Sequence, residues 1–398
     1  MFKVLMLAPT PFFSDRGCHI RIYEEAKALV KLGVKVKIAT YFAGQDMEGL
    51  ELARAGKWVR YKKLAAGPSI KKPLIDLALL LQSRREIKEF KPDFIHCHLH
   101  EGAFIGLLAT GAGAGGKKVP VILDYQGSLA AELFEHQRFF RVPGIAGMMS
   151  ATESGINSRV DAILLNCESL GREIRANARL KCRVVGDGVD VERFSPQPKD
   201  PELLKKTGLD PGLPVIVYLG LLNRYQGLEL LLKAAAQLKN KNVKFQMLVM
   251  GYPLSDYQER AQDMGLAGLV KFTGRMDYNQ AQKWLALGDV AVAPKIARSE
   301  SNGKILNYLA MGIPVVCFDK PVNRELAGDC AEYAALDPGS EEKSAEALAL
   351  GMEKLLNDPG RRKELSTKSR KRALENFKWE VVAGRILKAY QELSSCPK

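Results

Sequence analysis

The chain has 398 residues, more than the roughly 250 to 300 at which a single hydrophobic core stops growing, so two domains are predicted. Hydrophobic residues make up 46% and charged residues 26%, a balance typical of globular proteins that excludes wholesale disorder and a fibrous architecture. Lys and Arg number 59 against 45 Asp and Glu, and the net charge of +14 favours anionic partners.

The sequence predicts neither export nor a membrane span. Its longest apolar stretch near the start, residues 4–9, is far shorter than the roughly 18 residues that cross a bilayer, and it lacks a small-residue cleavage site. The seven cysteines are odd in number and form no Cys-x-x-Cys pair, which fits reduced thiols rather than a disulfide framework. We therefore expect a soluble, cytoplasmic protein.

The first half of the chain alternates predicted strands and helices. Residues 4–7 form an apolar run closed by a loop with two prolines, and the helix that follows ends at Gly33. The predicted apolar face of that helix comprises Ile20, Tyr23, Ala26, Leu29 and Val30. Further strands are predicted at residues 34–40, 94–98, 119–124 and 162–166. Repeated strand-then-helix order with continuous apolar strands indicates a parallel sheet covered on both faces.

Residues 54–91 form a strongly basic segment, with eleven Lys and Arg against three Asp and Glu. Within it, residues 73–81 are mostly apolar and predict a helix. Two interpretations stay open, a core helix with a solvated basic rim or an amphipathic helix on an anionic membrane surface. Aromatic residues are not interleaved with the cations as stacking on bases requires, so no nucleic-acid partner is expected.

A polar stretch from residue 186 to residue 214, with five prolines, indicates an interdomain connection. Strands are then predicted at residues 215–220, 245–251, 270–274, 290–294 and 314–318, and closing helices at 341–356, 361–375 and 380–393. We predict an α/β protein of two doubly wound, Rossmann-like domains, residues 1–188 and 189–377. They would face each other across a cleft at the carboxyl ends of their strands.

Two patterns resemble sites of other kinds, a dinucleotide-binding loop and a metal site, but neither is interpreted as one. The glycine run at residues 111–116 matches a dinucleotide fingerprint as text, but it follows a helix-like segment and precedes a strand, the reverse of the order required. His96, His98 and His100 would lie on one side of an extended strand, where a polar cleft wall is favoured over a metal site because no partner carboxylate stands at a telling spacing. With no Asp-x-Asp pair either, we expect no metal and no cofactor.

The most informative segment is residues 294–314, which reads as strand, polar loop, helix, glycine stop and strand. The helix is predicted to begin near residues 302–303, so that its first backbone amides face whatever lies at the strand end. Lys295, Arg298 and Lys304 crowd the same place, and a diphosphate suits amides and cations together. The alternative is a surface loop with scattered charges.

A second strand-to-helix turn runs from Gly220 to Gly227 and opens a predicted helix at residues 228–238. Two such turns in one domain could frame a single phosphate group. Taken alone, this turn fits a plain connection equally well.

Five features carry a family resemblance. They are the loop ending in Arg16-Gly17, Gly188-Val189-Asp190 followed by Arg193-Phe194 and Pro196, Gly220 with Gln226-Gly227, Glu300 through Gly312-Ile313-Pro314-Val315-Val316, and Phe377-Lys378-Trp379. In their order and spacing, over residues 1 to about 393, the chain resembles a GT-B glycosyltransferase of the family 4 group of retaining, nucleotide-sugar-dependent enzymes.

The resemblance implies a nucleotide-sugar donor held mainly by the second domain and an acceptor held mainly by the first. It also implies that the last helix, at about residues 378–398, packs back on the first domain. The residues implied to contact the donor's sugar, phosphates and ribose are Glu300, the backbone of Ser301, Asn302 and Gly303, and Asn307. Gly17 would let a first-domain loop approach the diphosphate, a role that needs a residue without Cβ.

The sequence departs from the family pattern at several positions. Glu300 stands seven rather than eight positions before Asn307, where the family carries a second glutamate, and an amide brings no negative charge. Leu221 and Gln226 replace the basic pair usual on the diphosphate. The cations predicted to substitute for that pair are Arg224, Arg298 and Lys304.

Asp124 or Gln126 stands in the region where a sugar-contacting His is usual. The residues to which we assign catalytic roles are Glu300, Arg224, Lys304 and Asp124. Gly220 ends one predicted strand and Arg275 directly follows another, and both join the candidates that bind the donor.

The function implied is retaining transfer of a sugar from a nucleoside diphosphate sugar to an acceptor hydroxyl, in cell-envelope polysaccharide, lipopolysaccharide or glycolipid synthesis. The acceptor would be lipid-linked or an envelope glycan, with the protein cytoplasmic and peripheral at the inner face of the membrane. Two alternatives stay open, a catalytically inactive nucleotide- or sugar-binding subunit and a sugar epimerase of the same architecture.

Overall fold

The computed structural model describes residues 1–13, 17–59, 72–111, 119–130, 144–172, 174–254, 256–297 and 301–395. Arg16, residues 60–71 of the basic segment and residues 112–116 of the glycine run lie outside these ranges. Residue contacts divide the chain into two compact units. Unit 1 comprises Met1–Gly188 and Trp379–Lys398 with the stretch Ser299–Ser301, and unit 2 comprises Val189–Arg298 and Asn302–Lys378.

Unit 1 contains a seven-stranded parallel sheet in the order β3-β2-β1-β4-β5-β6-β7. The strands are β1 Lys3–Ala8, β2 Lys35–Tyr41, β3 Glu51–Ala55, β4 Phe94–His98, β5 Val121–Tyr125, β6 Ala162–Leu165 and β7 Cys182–Val184. The central strands β4, β5 and β6 are buried along their whole length, as parallel strands covered on both faces must be.

The described helices of unit 1 are α1 Gly17–Lys31, α2 Lys72–Phe90, α3 Leu99–Gly111, α4 Ile145–Arg159, α5 Glu168–Gly171, α6 Ala176–Arg179 and, at the end of the chain, α15 Trp379–Ser395. The buried face of α1 differs from the predicted one. Val30 is 40% exposed, whereas Arg21 and Glu25 are buried beside Ile22. Apolar spacing alone missed this face because charged side chains occupy part of it.

Unit 2 contains a six-stranded parallel sheet in the order β10-β9-β8-β11-β12-β13. The strands are β8 Val215–Leu219, β9 Gln246–Met250, β10 Val270–Gly274, β11 Val290–Ala293, β12 Val315–Phe318 and β13 Ala331–Ala334. The described helices are α7 Pro201–Thr207, α8 Leu228–Asn240, α9 Tyr257–Asp263, α10 Ala281–Leu285, α11 Lys304–Ala310, α12 Pro321–Ala327, α13 Glu341–Asn357 and α14 Pro359–Asn376. The chain thus folds as two Rossmann-like α/β domains, each reversing its strand order once, in unit 2 between β8 and β11.

Three strands escaped prediction, and all three lie at sheet edges. They are β3, β7 and β13, whose sequences ELARA, CRV and AEYA each carry a charged residue. An edge strand is covered less completely, so its sequence need not be a continuous apolar run. The interior strands have such runs and were predicted to within three residues at either end.

The last helix, α15, packs into the core of unit 1. Val382, Ile386 and Tyr390 belong to the buried cluster that also contains Phe94 of β4. The Tyr390 ring stacks on Phe94 with centroids 5.0 Å apart, and its hydroxyl lies 2.5 Å from Nδ1 of the buried His96. In the described part of the chain, no helix is both long and apolar enough to cross a membrane.

We expect Tyr390→Phe to lower the stability of unit 1 by about 1 to 3 kcal/mol, because His96 loses its buried hydrogen-bond partner. Tyr390→Ala should cost more, since the stacked ring is also lost. Melting temperature and hydrogen exchange of α15 measure both effects, with exposed Gln391→Ala as control. If Tyr390→Ala behaved like Gln391→Ala, this packing of α15 would be contradicted.

Candidate functional site

In unit 2, the loops that follow β8 and β11 lie side by side. The two strands are parallel neighbours, so their carboxyl ends lie at the same sheet edge, where the strand order reverses. The amides of Ile296 and Ala297 both donate to the carbonyl oxygen of Tyr225, at 3.0 and 3.1 Å. The two turns predicted separately are therefore one pair of joined loops, residues 220–227 and 294–297.

A glycine permits this close approach. Gly227 has a φ of 77°, and a Cβ on it would lie 1.8 Å from the carbonyl oxygen of Pro294. Any side chain would push the two loops apart and strain the backbone as well. The joined loops therefore depend on Gly227.

Lys304, the first residue of α11, extends its side chain to the joined loops. Its Nζ donates to Gln226 Oε1 at 2.8 Å and lies 4.2 Å from the ring centroid of Tyr218. Gly220 is so close that a Cβ on it would come within 2.7 Å of the same nitrogen. An amide oxygen and an aromatic face thus position the ammonium group, while the residue stays partly exposed. The structure brings the predicted residues Lys304 and Gly220 together.

A buried lysine fixes the shape of the second loop. Nζ of Lys320, which is 8% exposed, donates to the carbonyl oxygen of Lys295 at 3.3 Å and to that of Ala297. Sequence reasoning missed Lys320. A signal was present, because this lysine follows the buried strand β12, the neighbour of β11.

Asn302 precedes α11 and is 2% exposed. Its Nδ2 donates to Asn323 Oδ1 at 3.1 Å, and Asn323 Nδ2 donates to the carbonyl oxygen of Phe318 at 2.8 Å. The Asn302 side chain therefore holds the turn in place, which leaves the backbone for the predicted contact with a sugar phosphate. Neither the Asn302 nor the Gly303 amide donates to a backbone oxygen in the described part of the chain.

Two predicted cations contact other partners. Arg224 Nη2 donates to Glu341 Oε1 at 3.2 Å, and the arginine side chain is 73% exposed. The exposed Arg275 has its guanidinium 5.5 Å from the ring centroid of Tyr252. A clamp made jointly by Arg224 and Lys304 would require Arg224 to leave Glu341.

The remaining predicted donor contacts are spread along the chain. Asn307 begins the second turn of α11 and is half-buried. Gly17 is the exposed first residue of α1, and a Cβ on it would meet no described atom within 4 Å, so packing does not require glycine there. Its role toward a ligand stays a prediction. Ser301 is half-buried, while Arg298 and Glu300 lie outside the described residues.

In unit 1, Asp124 lies at the centre of a buried network rather than at an open site. Its Oδ2 accepts from Arg21 Nε at 2.9 Å, His98 Nδ1 at 3.0 Å and Gln126 Nε2 at 2.9 Å, and its Oδ1 accepts from Arg21 Nη2 at 2.7 Å. Burial alone would raise the pKa of Asp124, but the charge of Arg21 and the hydrogen bonds hold it well below its usual range. The predicted catalytic role needs an accessible carboxylate, and the structure instead shows one that is 0% exposed.

Glu25 and His96 continue the network. Glu25 Oε1 lies 3.3 Å from His96 Nε2, and Oε2 lies 3.5 Å from Arg21 Nη2. Burial and the charge of Asp124 raise the pKa of Glu25 well above its usual range, and burial lowers the pKa of His96 to about 3. These shifts favour the uncharged forms of both groups, which suits a carboxyl and an imidazole that face each other in the interior.

The same groups satisfy one requirement of a metal site. One ligand atom from each of Glu25, His96, His98 and Asp124 lies within 4.8 Å of the others. However, the guanidinium of Arg21 already places a positive charge 2.7 Å from Asp124. We interpret the cluster as an internal ion-pair and hydrogen-bond network, and the expected absence of a metal stays a prediction.

The predicted arrangement of the histidines is wrong. His96 and His98 lie on β4 and are completely buried, and His100, at 4% exposed, lies in the first turn of α3 because the strand ends at His98. The three imidazoles therefore form neither one side of an extended strand nor a polar cleft wall.

Sequence reasoning missed Arg21 and Glu25, although a signal was present. The two residues stand four apart in α1, next to buried Ile22 and Ala26. A cation and an acid at this spacing on a helix face that is otherwise apolar indicate a buried pair whose partners come from elsewhere in the chain.

Glu25→Gln gives a pH-dependent test of the network. Because burial raises the pKa of Glu25 in the folded state, wild-type stability falls as pH rises from the unfolded pKa of about 4.3 toward the folded pKa, by up to about 1.4 kcal/mol per pH unit. Glutamine removes this loss, so the melting temperature of Glu25→Gln should gain on that of the wild type as pH rises above about 5. Glu346→Gln, at an exposed residue, is the control. If the difference in melting temperature between Glu25→Gln and the wild type stayed constant or narrowed with rising pH, the raised pKa of Glu25 would be contradicted.

Comparison with known proteins identifies the family. The chain matches the family model "Glycosyl transferases group 1" over residues 199–372 and the model "Glycosyltransferase Family 4" over residues 16–193. A D-inositol 3-phosphate glycosyltransferase of Rhodococcus erythropolis is 24% identical over 400 residues, 94% of this chain and 86% of that protein. A GDP-mannose-dependent monoacylated alpha-(1-6)-phosphatidylinositol monomannoside mannosyltransferase of Corynebacterium glutamicum is 28% identical over 212 residues, 51% of this chain and 54% of that protein.

Solved structures share the fold. Sucrose-phosphate synthase from Thermosynechococcus elongatus has a TM-score of 0.81 at 16% identity, covering 99% of this chain and 100% of that one. Anabaena HepE, solved with UDP and glucose, has a TM-score of 0.75 at 15% identity and full coverage of both chains, 100% each. The two family models follow one another along nearly the whole chain, from residue 16 to residue 372, and show that this chain belongs to the family 4 glycosyltransferases.

Proposed function

We propose that this glycosyltransferase moves a hexosyl group from a nucleoside diphosphate sugar to an acceptor hydroxyl with retention of configuration, and that unit 2 binds the donor. The observation that carries the proposal is the ammonium group of Lys304, fixed by Gln226 and Tyr218 at the joined loops. In open α/β sheets, ligands bind at the carboxyl edge where the strand order reverses, which is where this ammonium lies. The structure of HepE with UDP-glucose supports a donor of the same class.

Lys304 would stabilise the leaving diphosphate. Sugar transfer builds negative charge on that group, and a cation held in place beforehand stabilises the charge by a few kcal/mol without reorganising. The backbone amides of Asn302 and Gly303 would add neutral donors, and Asn307 would bind a ribose hydroxyl. In this mechanism the leaving phosphate takes the acceptor's proton, so neither a protein nucleophile nor a metal ion is required.

The acceptor would be a lipid-linked or cell-envelope molecule, used at the cytoplasmic face of the membrane. One relative supports a lipid-linked acceptor, since its name describes an acylated phosphatidylinositol mannoside. The name of the other describes an inositol phosphate, which supports a phosphorylated acceptor only. The net charge of +14 also favours a phosphorylated acceptor or an anionic surface around it.

Replacing Lys304 by Met should lower kcat/KM for the nucleotide-sugar donor by about 100- to 1,000-fold, because the fixed cation at the leaving group is lost. Release of nucleoside diphosphate measures the reaction. The control is Lys343→Met, since this lysine is 75% exposed in the same unit and should leave activity unchanged. Full activity in Lys304→Met would overturn the assignment.

Binding can be tested without an acceptor. We expect UDP, GDP or ADP to raise the melting temperature of the wild type more than the matching monophosphate does, because a ligand bound only by the folded state stabilises that state. In Lys304→Met the extra rise given by the diphosphate should disappear. If no nucleotide shifted the wild-type melting temperature, unit 2 would not be the donor-binding domain proposed.

A further inference from the structure

Helix α2 of unit 1 presents a row of leucines to solvent. Leu74, Leu77 and Leu81 are 52, 48 and 54% exposed, and they recur at the spacing of one helix face. The opposite side of α2 buries Ile75 and Leu79 against the domain. The first half of α2 is therefore apolar on its outer side as well as on its inner side, which packing within unit 1 does not require.

Helix α3 extends this apolar area. Phe104 and Leu108, one turn apart, are 51 and 42% exposed. The helices are joined at this end, because Arg84 of α2 donates through Nη2 to the carbonyl oxygen of Leu108 at 3.2 Å. The exposed apolar side chains of two adjacent helices therefore form a patch rather than scattered single residues.

The second half of α2 carries cations on the same side as the leucines. At 100° per residue, Arg85 and Lys88 fall with the three leucines inside a sector of about 80°. The Arg85 side chain is 67% exposed, and Lys88 is exposed. We call these residues the α2–α3 surface, which consists of Leu74, Leu77, Leu81, Arg85, Lys88, Phe104 and Leu108.

Of the acidic residues of α2, Glu89 offsets one cation of this surface, and the other two are directed into unit 1. Asp76 accepts from the Tyr41 hydroxyl, and Glu86 accepts from Lys37 Nζ at 3.0 Å, so both are directed into unit 1. Glu89 forms an ion pair with Arg85 at 2.8 Å. Lys88 and the partly exposed Arg84 then leave the described part of α2 with a positive excess beside the leucines.

We propose that the α2–α3 surface docks on an anionic lipid bilayer. Aliphatic and aromatic side chains enter the boundary between headgroups and acyl chains without needing a shaped partner, and neighbouring cations bind the lipid phosphates. Leu74, Leu77 and Phe104 would insert, while Arg85 and Lys88 would remain at headgroup level. Charge complementarity therefore selects anionic lipid over a neutral bilayer or an apolar protein groove.

The bilayer would be a partner of the enzyme, and the docking rests on the proposed function only for its biological purpose. Docking would keep unit 1 beside a lipid-linked acceptor, yet lipid binding can be measured with no donor present. Full donor chemistry in Lys304→Met, with lipid binding intact, would refute only the function. Loss of donor chemistry in Lys304→Met, in a chain that binds no vesicles, would refute only the docking.

The test is sedimentation of the full chain with vesicles of phosphatidylcholine alone or with about a third phosphatidylglycerol. We expect the wild type to bind the anionic vesicles at least about tenfold more tightly and to lose binding as salt rises. The double variants Leu77→Ser with Leu81→Ser and Arg85→Gln with Lys88→Gln should each weaken binding at least about tenfold.

Matched controls make the same kinds of substitution at exposed residues outside the α2–α3 surface. Leu180→Ser with Leu350→Ser removes leucines that are 87 and 51% exposed, and Lys343→Gln with Lys371→Gln removes cations whose side chains are 75 and 74% exposed. Both controls should bind as the wild type does. Far-ultraviolet circular dichroism checks that each variant folds, and if the leucine variant does not, the charge variant and the salt titration decide.

Three results would overturn the proposal. The wild type could bind neutral and anionic vesicles equally or not at all, or both surface variants could bind as the wild type does. In the third, the chain binds no vesicles but associates with itself without lipid, and Leu77→Ser with Leu81→Ser abolishes this self-association. That result would assign the surface to contact with a second copy of the chain.

Discussion

The close approach of two loops at the carboxyl edge of the unit 2 sheet is the constraint on which the candidate site depends. It requires a residue without a side chain at Gly227, because the carbonyl oxygen of Pro294 occupies the space of a Cβ. The Tyr225 carbonyl and the buried Lys320 then fix the second loop. Lys304 follows both loops in the sequence, and with the loops held this close its Nζ donates to Gln226.

The two units use charge for different purposes. In unit 1, Arg21 and Asp124 form an ion pair in the interior, where an unpartnered charge would be costly, and Glu25 lies beside them with a raised pKa. In unit 2, an amide oxygen and an aromatic ring position the partly exposed ammonium group of Lys304. An ammonium group held in place at a sheet edge suits an anionic ligand, whereas the unit 1 network suits the stability of its own domain.

Most strands, and the turns that follow β8 and β11, were predictable from sequence because their signals are local. Predicted strand 94–98 agrees to the residue with the interior strand β4, and predicted strand 270–274 agrees with the edge strand β10. The edge strand β3 was missed because its charged residues interrupt the apolar pattern. The buried face of α1 was missed because Arg21 pairs with Asp124, which lies 103 positions away. The same reason hid the pairing of Arg224 with Glu341, 117 positions away, and the burial of Asp124 by Arg21.

The central claim is that the Lys304 ammonium binds the donor's diphosphate. The most direct measurement is a crystal structure of the protein with a nucleoside diphosphate chosen by the melting-temperature comparison. We expect a phosphate oxygen within about 3 Å of Lys304 Nζ, with the nucleotide lying over the joined loops. A diphosphate bound elsewhere, with no phosphate oxygen near Lys304 Nζ, would contradict the claim.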